Sequence, residues 1–283
     1  MVFSRLLSVF CLSLVLWSCS PSSSYTPYFN PKQGIVYRCT VSEMTHTLST
    51  ENGQKVQRDH NVSLSFHYRT VTGPVAPQGL HIGLDAFLLH EQADDRGEVN
   101  SSFGGFEGPG MNCSLDNEGK VMKLEGLDAV YHKIAEEQRD ADEGRWRHRF
   151  GTEYFARLLE KGWRIFPDGP VRIGDSWNGI DSLNADPHIP LATKFTLVKV
   201  WAGVLYIQTD SDVDVSGVDL KGASHSGQVT LRGRQRGLLR VDAETGLILD
   251  GQTLLRADGV LTTGTGRIPL HIDSTCSVKG VLV

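Results

Sequence analysis

The feature that most restricts how this chain can fold is an alternation of side chains with period two. Val62, Leu64, Phe66 and Tyr68 alternate with Ser63, Ser65, His67 and Arg69. Successive residues of a strand face opposite ways, so this run predicts a strand with one apolar face and one wet face. Ile35, Tyr37, Cys39 and Val41 repeat the pattern, as do Leu80, Ile82, Leu84, Ala86 and Leu88. The turn pair Asn52-Gly53 separates the first two runs, and Met111 to Glu125 predicts a hairpin turning at Asn117-Glu118-Gly119. After Trp177 the alternation returns over Lys194–Trp201, Leu205–Asp214, Ser226–Val241, Leu247–Leu255 and Ile268–Val278. Turns are expected at Ala202-Gly203, Glu244-Thr245-Gly246 and Asp258-Gly259.

The period changes only in the middle of the chain. Leu127, Val130, Tyr131 and Ile134 fall at helical spacing, and so do Phe150, Tyr154, Phe155, Leu158 and Leu159, with an acidic run from Glu136 to Glu143 between the two sets. Gly162 and the Pro167-Asp168-Gly169-Pro170 turn then end the second helix. The expected fold class is therefore mainly β (α+β), a curled antiparallel sheet or half-barrel packed on two central amphipathic helices. Ala93 to Gly110, rich in Asp, Ser and Gly and carrying Phe103 and Phe106, reads as a surface loop with its aromatics tucked in.

Residues 1–18 carry one cation, Arg5, followed by an apolar run of about a dozen residues, too short to span a bilayer. This is the pattern of a signal peptide. Its end, Leu16-Trp17-Ser18-Cys19, resembles the lipobox of bacterial lipoproteins, with Trp17 an unusual occupant of the middle position. The resemblance implies cleavage before Cys19, acylation of that cysteine and attachment to a membrane through its lipid. Ser20 after the cysteine implies, by the enterobacterial rule, an outer-membrane location facing the periplasm. Residues 19–33 are Ser/Pro-rich at their start and read as a flexible tether. Residues 34–283 then form the β-rich domain: N-terminal strands 34–125, a helical segment 126–166 and a C-terminal meander 167–283.

The balance of 28 Lys+Arg against 33 Asp+Glu leaves no basic surplus, which excludes nucleic acid as a partner. Arg232, Arg234, Arg236 and Arg240 alternate as the wet face of a strand would, and Asp210, Asp212 and Asp214 also share one face. The aspartates mimic the start of a calcium loop, but Val215 and Lys221 stand where that loop needs glycine and glutamate. The histidines are dispersed, and no Cys-x-x-Cys or His-x-x-x-His spacing exists, so no metal or other cofactor is expected. Of the five cysteines, Cys11 leaves with the signal and Cys19 takes lipid. The remaining three, Cys39, Cys113 and Cys276, imply one disulfide and a spare thiol or no disulfide, with Cys39 and Cys276, on the first and last predicted strands, the preferred pair.

The segment Pro167-Asp168-Gly169-Pro170-Val171-Arg172-Ile173-Gly174-Asp175-Ser176-Trp177 resembles the P-x-x-P-V-x-x-G-D-S-W element of uncharacterised bacterial lipoprotein families, in which a D-x-x-T-G turn follows, here Asp242 to Gly246. In physical terms it is a folding element: Pro170 and Val171 start a strand, Gly174-Asp175 turns, and Trp177 buries its ring. More loosely, the layout resembles periplasmic lipoprotein carriers and mycobacterial lipid-binding lipoproteins, a likeness that implies an apolar cavity. Nucleophile-elbow, Ser-x-x-Lys, zincin and phosphate-loop motifs are all missing, so an enzyme is not expected. The leading expectation is a non-catalytic envelope lipoprotein binding a lipid or other apolar ligand. The alternatives are an envelope scaffold docking on a protein partner, and a hydrolase with an unrecognised site.

Overall fold

The computed structural model describes residues 23–71, 79–93, 97–104, 110–116, 119–137, 144, 147, 151–183, 189–221 and 226–283. The predicted fold class is the observed one: among the described residues, an antiparallel, curled sheet that does not close into a barrel, with two short helices. The strands are β1 (Tyr37–Glu51), β2 (Gln54–Val71), β3 (Gly79–Ala93), β4 (Gly97–Gly104), β5 (Gly110–Leu115), β6 (Val121–Glu125), β7 (Ser176–Leu183), β8 (Ile189–Trp201), β9 (Val204–Lys221), β10 (Ser226–Asp242), β11 (Ile248–Thr263) and β12 (Gly266–Leu282). Helices α1 (Leu127–Glu137) and α2 (Thr152–Glu160) separate β6 from β7. All strands belong to one sheet of order β6-β5-β3-β2-β1-β12-β11-β10-β9-β8-β7, with β4 paired to β3. The N- and C-terminal strand groups meet where β1 pairs with β12, from Tyr37 opposite Leu282 to Ser49 opposite Leu270.

Turn chemistry sets the registers. Asn52 and Gly53 both have positive φ, and so do Ala202 and Gly203, which is the backbone that a two-residue hairpin of the sheet's own twist requires. At the β10–β11 corner Asp242 Oδ1 accepts from the Thr245 N–H at 2.8 Å and from its hydroxyl at 2.7 Å, while Gly246 takes φ 70.

Four local expectations need correction. In β3 the alternation slips at Asp85, an extra residue between the pairs Ser65–Ala86 and Phe66–Leu84. Beyond this β-bulge Phe87 and Leu89 are buried and Leu88 faces out. Asp258-Gly259 is not a turn but lies inside β11, because Gly259 has no Cβ to strike the Thr230 carbonyl against which it packs. Part of the expected loop after Ala93 is strand β4, in which Phe103 pairs with Phe87, whereas Phe106 lies outside the described residues. Val171 makes a single bridge to Tyr25, and the strand expected there begins only at Ser176.

That bridge also bears on the expected tether. Tyr25 exchanges two backbone hydrogen bonds with Val171, at 2.8 and 2.7 Å, and the Asn30 N–H donates to the Thr245 carbonyl at 2.8 Å. Phe29 is buried and stacked on Trp163 with ring centroids 5.3 Å apart. From Tyr25 onward, then, the segment is a strap on the domain, because burial of an aromatic ring outweighs the ordering entropy of its polar neighbours.

The principal core lies between the helices and the inner face of the sheet. Trp163, Tyr37, Tyr68, Phe66, Phe87 and Phe155 are all essentially without solvent exposure. Trp163 spans this core and donates its indole N–H to the Gly119 carbonyl at 2.8 Å. A second apolar cluster, Ile189, Leu191, Val213, Val215, Val229, Leu231, Leu255 and Ala257, occupies the inner face further along β8–β11.

Candidate functional site: a polar cleft between helix and sheet

Between the two apolar clusters the inner face turns polar. Directly opposed residues of an antiparallel ladder share a face. Thr209, Gly237, Thr253, Cys276 and Glu43 therefore form one row across β9, β10, β11, β12 and β1. Ser211, Gln235, Leu255, Ser274 and Thr45 form the next row. Thr193, Thr209, Ser211, Gln235 and Glu43 are all buried. The Thr193 and Ser211 hydroxyls bond each other at 2.7 Å, and Gln235 Nε2 donates to Asp181 Oδ2 at 2.6 Å. Asp181 sits on β7, three strands from Gln235 in the sheet order, a separation of roughly 14 Å if the sheet were flat. The hydrogen bond therefore records how strongly this end of the sheet curls. Gly233, Gly237, Gly251 and Gly259 on β10 and β11 permit that curl, since a Cβ at any of them would meet a neighbour at 2.5 Å or less.

Lys161, just beyond α2, reaches into the row and places Nζ 3.5 Å from Glu43 Oε2, with side chains only 11% and 9% exposed. Burial acts to lower the Lys161 ammonium, but Glu43 and Asp181 hold it above the ordinary lysine value, so it stays charged. Cys276 lies in the same row, and burial pushes its thiol up to about 12, opposed by Lys161 and assisted by Glu43 and Asp181. A thiol held protonated in this way is not a nucleophile at neutral pH. A charged Lys161 and a protonated Cys276 leave these two groups to hydrogen bonding and charge complementarity.

A cavity of about 90 Å³ opens beside this cluster. Arg157, Lys161 and Arg164 line its helix side, and Phe195, Thr209 and Leu239 line its sheet side. Thr209 Oγ1 and Arg157 Nε, on opposite walls, are both buried with no hydrogen-bond partner among the described residues. Gly237 leaves room for the Thr209 hydroxyl, which a Cβ there would approach to 2.8 Å. The cavity is small against the roughly 300–1,000 Å³ of pockets that enclose drug-sized ligands.

Cys39 and Cys276 were expected to pair, and the structure corrects this: Cys39, Cys113 and Cys276 are all free thiols. Cys39 lies opposite Gly280 and Cys276 opposite Glu43, so the two share a face four ladder positions apart, roughly 13 Å along the strand. A disulfide requires Cα atoms within about 7 Å. Cys19 lies outside the described residues. The arginine row and the aspartate run do share an outer face and pair across it: Arg234 Nε donates to Asp210 Oδ1 at 2.7 Å and Arg232 lies 3.6 Å from Asp214, while Arg240 bonds Asp250 of β11 at 2.7 Å. Their charges are spent on cross-strand pairing. The cleft residues escaped the sequence reading, although one signal was present: Thr209 and Ser211 fall in the same phase as Leu205, Ile207, Val213 and Val215, where a uniform core would continue apolar.

Among solved structures the chain is similar to lipovitellin, from a study titled "Lipid-protein interactions in lipovitellin", at 8% identity and TM-score 0.47 over 88% of this chain and 25% of that one. It thus spans about a quarter of the lipovitellin chain. It is also similar to DynF from the dynemicin biosynthesis pathway of Micromonospora chersina, at 8% identity and TM-score 0.21 over 91% of this chain and 85% of that one. Likenesses this loose carry no functional argument. No curated protein matches the sequence. Residues 87–248 match the family described as "Family of unknown function (DUF6263)". With more than half of its residues so matched, the chain belongs to that family.

Proposed function

We propose that this chain is a non-catalytic cell-envelope lipoprotein, anchored through lipid on Cys19 at the outer membrane and facing the periplasm, whose cleft between α2 and the sheet receives the polar end of an amphipathic ligand. The observation that carries the reading is the pair of buried, unpartnered atoms, Thr209 Oγ1 and Arg157 Nε, on opposite walls of one cavity. Buried polar atoms are nearly always satisfied, and these two belong to residues that line one cavity. Phe195 and Leu239 supply apolar wall beside them. The ligand is not a whole acyl chain sequestered in the interior, because aromatic side chains fill the space under the helices.

Native mass spectrometry after gentle detergent extraction tests this. Wild-type protein is expected to carry a small amphipathic ligand, and Thr209→Val, which removes the hydroxyl at nearly constant volume, is expected to lose it. A wild-type protein that is repeatedly empty removes the idea. A docking scaffold is the second reading, favoured by the exposed Met44, Leu238 and Leu254 on the outer face. Cross-linking in cells separates the two, since scaffolding requires one dominant protein adduct.

A further inference from the structure

We infer that the end of the sheet carrying the strap, the β8–β9 turn and the β10–β11 turn lies against the lipid surface to which the protein is tethered. The inference rests on the proposal that Cys19 is acylated. Only residues 20–24 separate that cysteine from Tyr25, which is fixed to Val171 by two backbone hydrogen bonds. Six residue steps span at most roughly 20 Å, less than the length of the longest strands here. A tether this short cannot present the opposite end of the domain to the membrane, nor hold the domain far from it.

The end so selected is a continuous rim. The Asn30 N–H binds the Thr245 carbonyl of the β10–β11 turn, and the Ala243 N–H of that turn binds the Gly203 carbonyl of the β8–β9 turn at 2.9 Å. The end of β12 meets the start of β1 at the same level, where Leu282 lies opposite Tyr37. Exposed on this rim are Tyr28 (52%), Ile173 (55%), Leu282 (59%) and Trp201 (62%). Lys199 places its ammonium 5.4 Å from the Trp201 ring and 5.2 Å from the Tyr206 ring. Lys32, whose ammonium pairs with Glu244 of the β10–β11 turn at 2.6 Å, lies on the same rim. Exposed tryptophan and tyrosine with lysines alongside suit a bilayer interface, where the rings sit at headgroup depth and the ammonium groups stay with the phosphates. The occupant is thus the membrane that holds the anchor. Its consequence is that the long axes of β8–β12 stand away from the bilayer.

The test uses full-length lipidated protein in vesicles of phosphatidylethanolamine and phosphatidylglycerol doped with a photoactivatable phosphatidylethanolamine, with adducts mapped by mass spectrometry. Adducts are expected on peptides containing Tyr28 and Trp201, and Trp201→Asp is expected to lower their yield about threefold or more. Adducts spread evenly, or gathered at the opposite end around Asn52-Gly53 and Gly264-Thr265, overturn the docking while leaving the anchor intact. Failure of palmitate to label wild-type protein, with no label lost in Cys19→Ser, overturns both.

Discussion

The inner face of this sheet is built in two ways. Under α2, along β1–β3, it is aromatic and dry: Phe29, Phe66, Tyr68 and Trp163 stack and tilt on one another with centroids between 5.3 and 6.3 Å apart. Along β9–β11 the same face carries threonine, serine, glutamine and glycine, with a buried lysine and glutamate closing the gap to the helix. One sheet thus supplies an aromatic half, with a buried unpartnered hydroxyl on Tyr68, and a half rich in buried polar side chains. The contrast teaches that aromatic packing holds the fold in the first region, and on the proposed function the second receives the ligand.

The largest expected effect lies in the dry half. Trp163→Ala removes a fully buried ring and its hydrogen bond to Gly119, and should cost about 3–5 kcal/mol of unfolding free energy by denaturant titration. A loss below about 1 kcal/mol would mean that the region is not packed as described.

Next comes the ion pair at the boundary of the two halves. Lys161→Met leaves Glu43 buried without its cation and should destabilise by about 3 kcal/mol, most of which the double variant with Glu43→Leu should recover. If the double variant is worse than the single one, the pair is a stabilising centre rather than a device of the cleft, and the comparison needs redrawing.

How much of this could be read from the chain follows the same division. The apolar strand faces, the two helices and the Asn52-Gly53 and Ala202-Gly203 turns were legible because period and turn residues are local properties. The bulge at Asp85 was not, since an extra residue in one strand shows only against its partner's register. Phe29 was hidden in a polar stretch, where composition pointed to a tether and a single buried ring decided otherwise. The cleft required knowledge of register, because Glu43, Thr209, Thr253 and Cys276 come from four separate strands.

Smaller effects sharpen the contrast. Thr209→Val should leave stability unchanged or raise it by up to about 1 kcal/mol, since the buried hydroxyl it removes has no partner, while ligand retention falls. On the outer face, the hydrogen bond that His271 donates to Asp258, opposed by burial and assisted by the one it donates to Asp273, raises His271 above its ordinary value of 6.5. A folded value above the unfolded one means that its contribution is complete below pH 6.5 and is lost as pH rises through the raised value. The site is well exposed, so only a few tenths of a kcal/mol are expected. His271→Asn should flatten that part of the stability-pH curve, and an unchanged curve would remove the assignment.

The division between a filled half and a binding half is tested most directly by an experimentally determined structure of protein purified from its own membranes, resolved well enough to show what lies beside Thr209. The account expects the polar group of a bound amphipathic molecule within hydrogen-bond distance of both Thr209 Oγ1 and Arg157 Nε, with the aromatic core beneath α2 filled by side chains alone. An acyl chain running through that core, or a cleft holding nothing beyond ordered water, would contradict it.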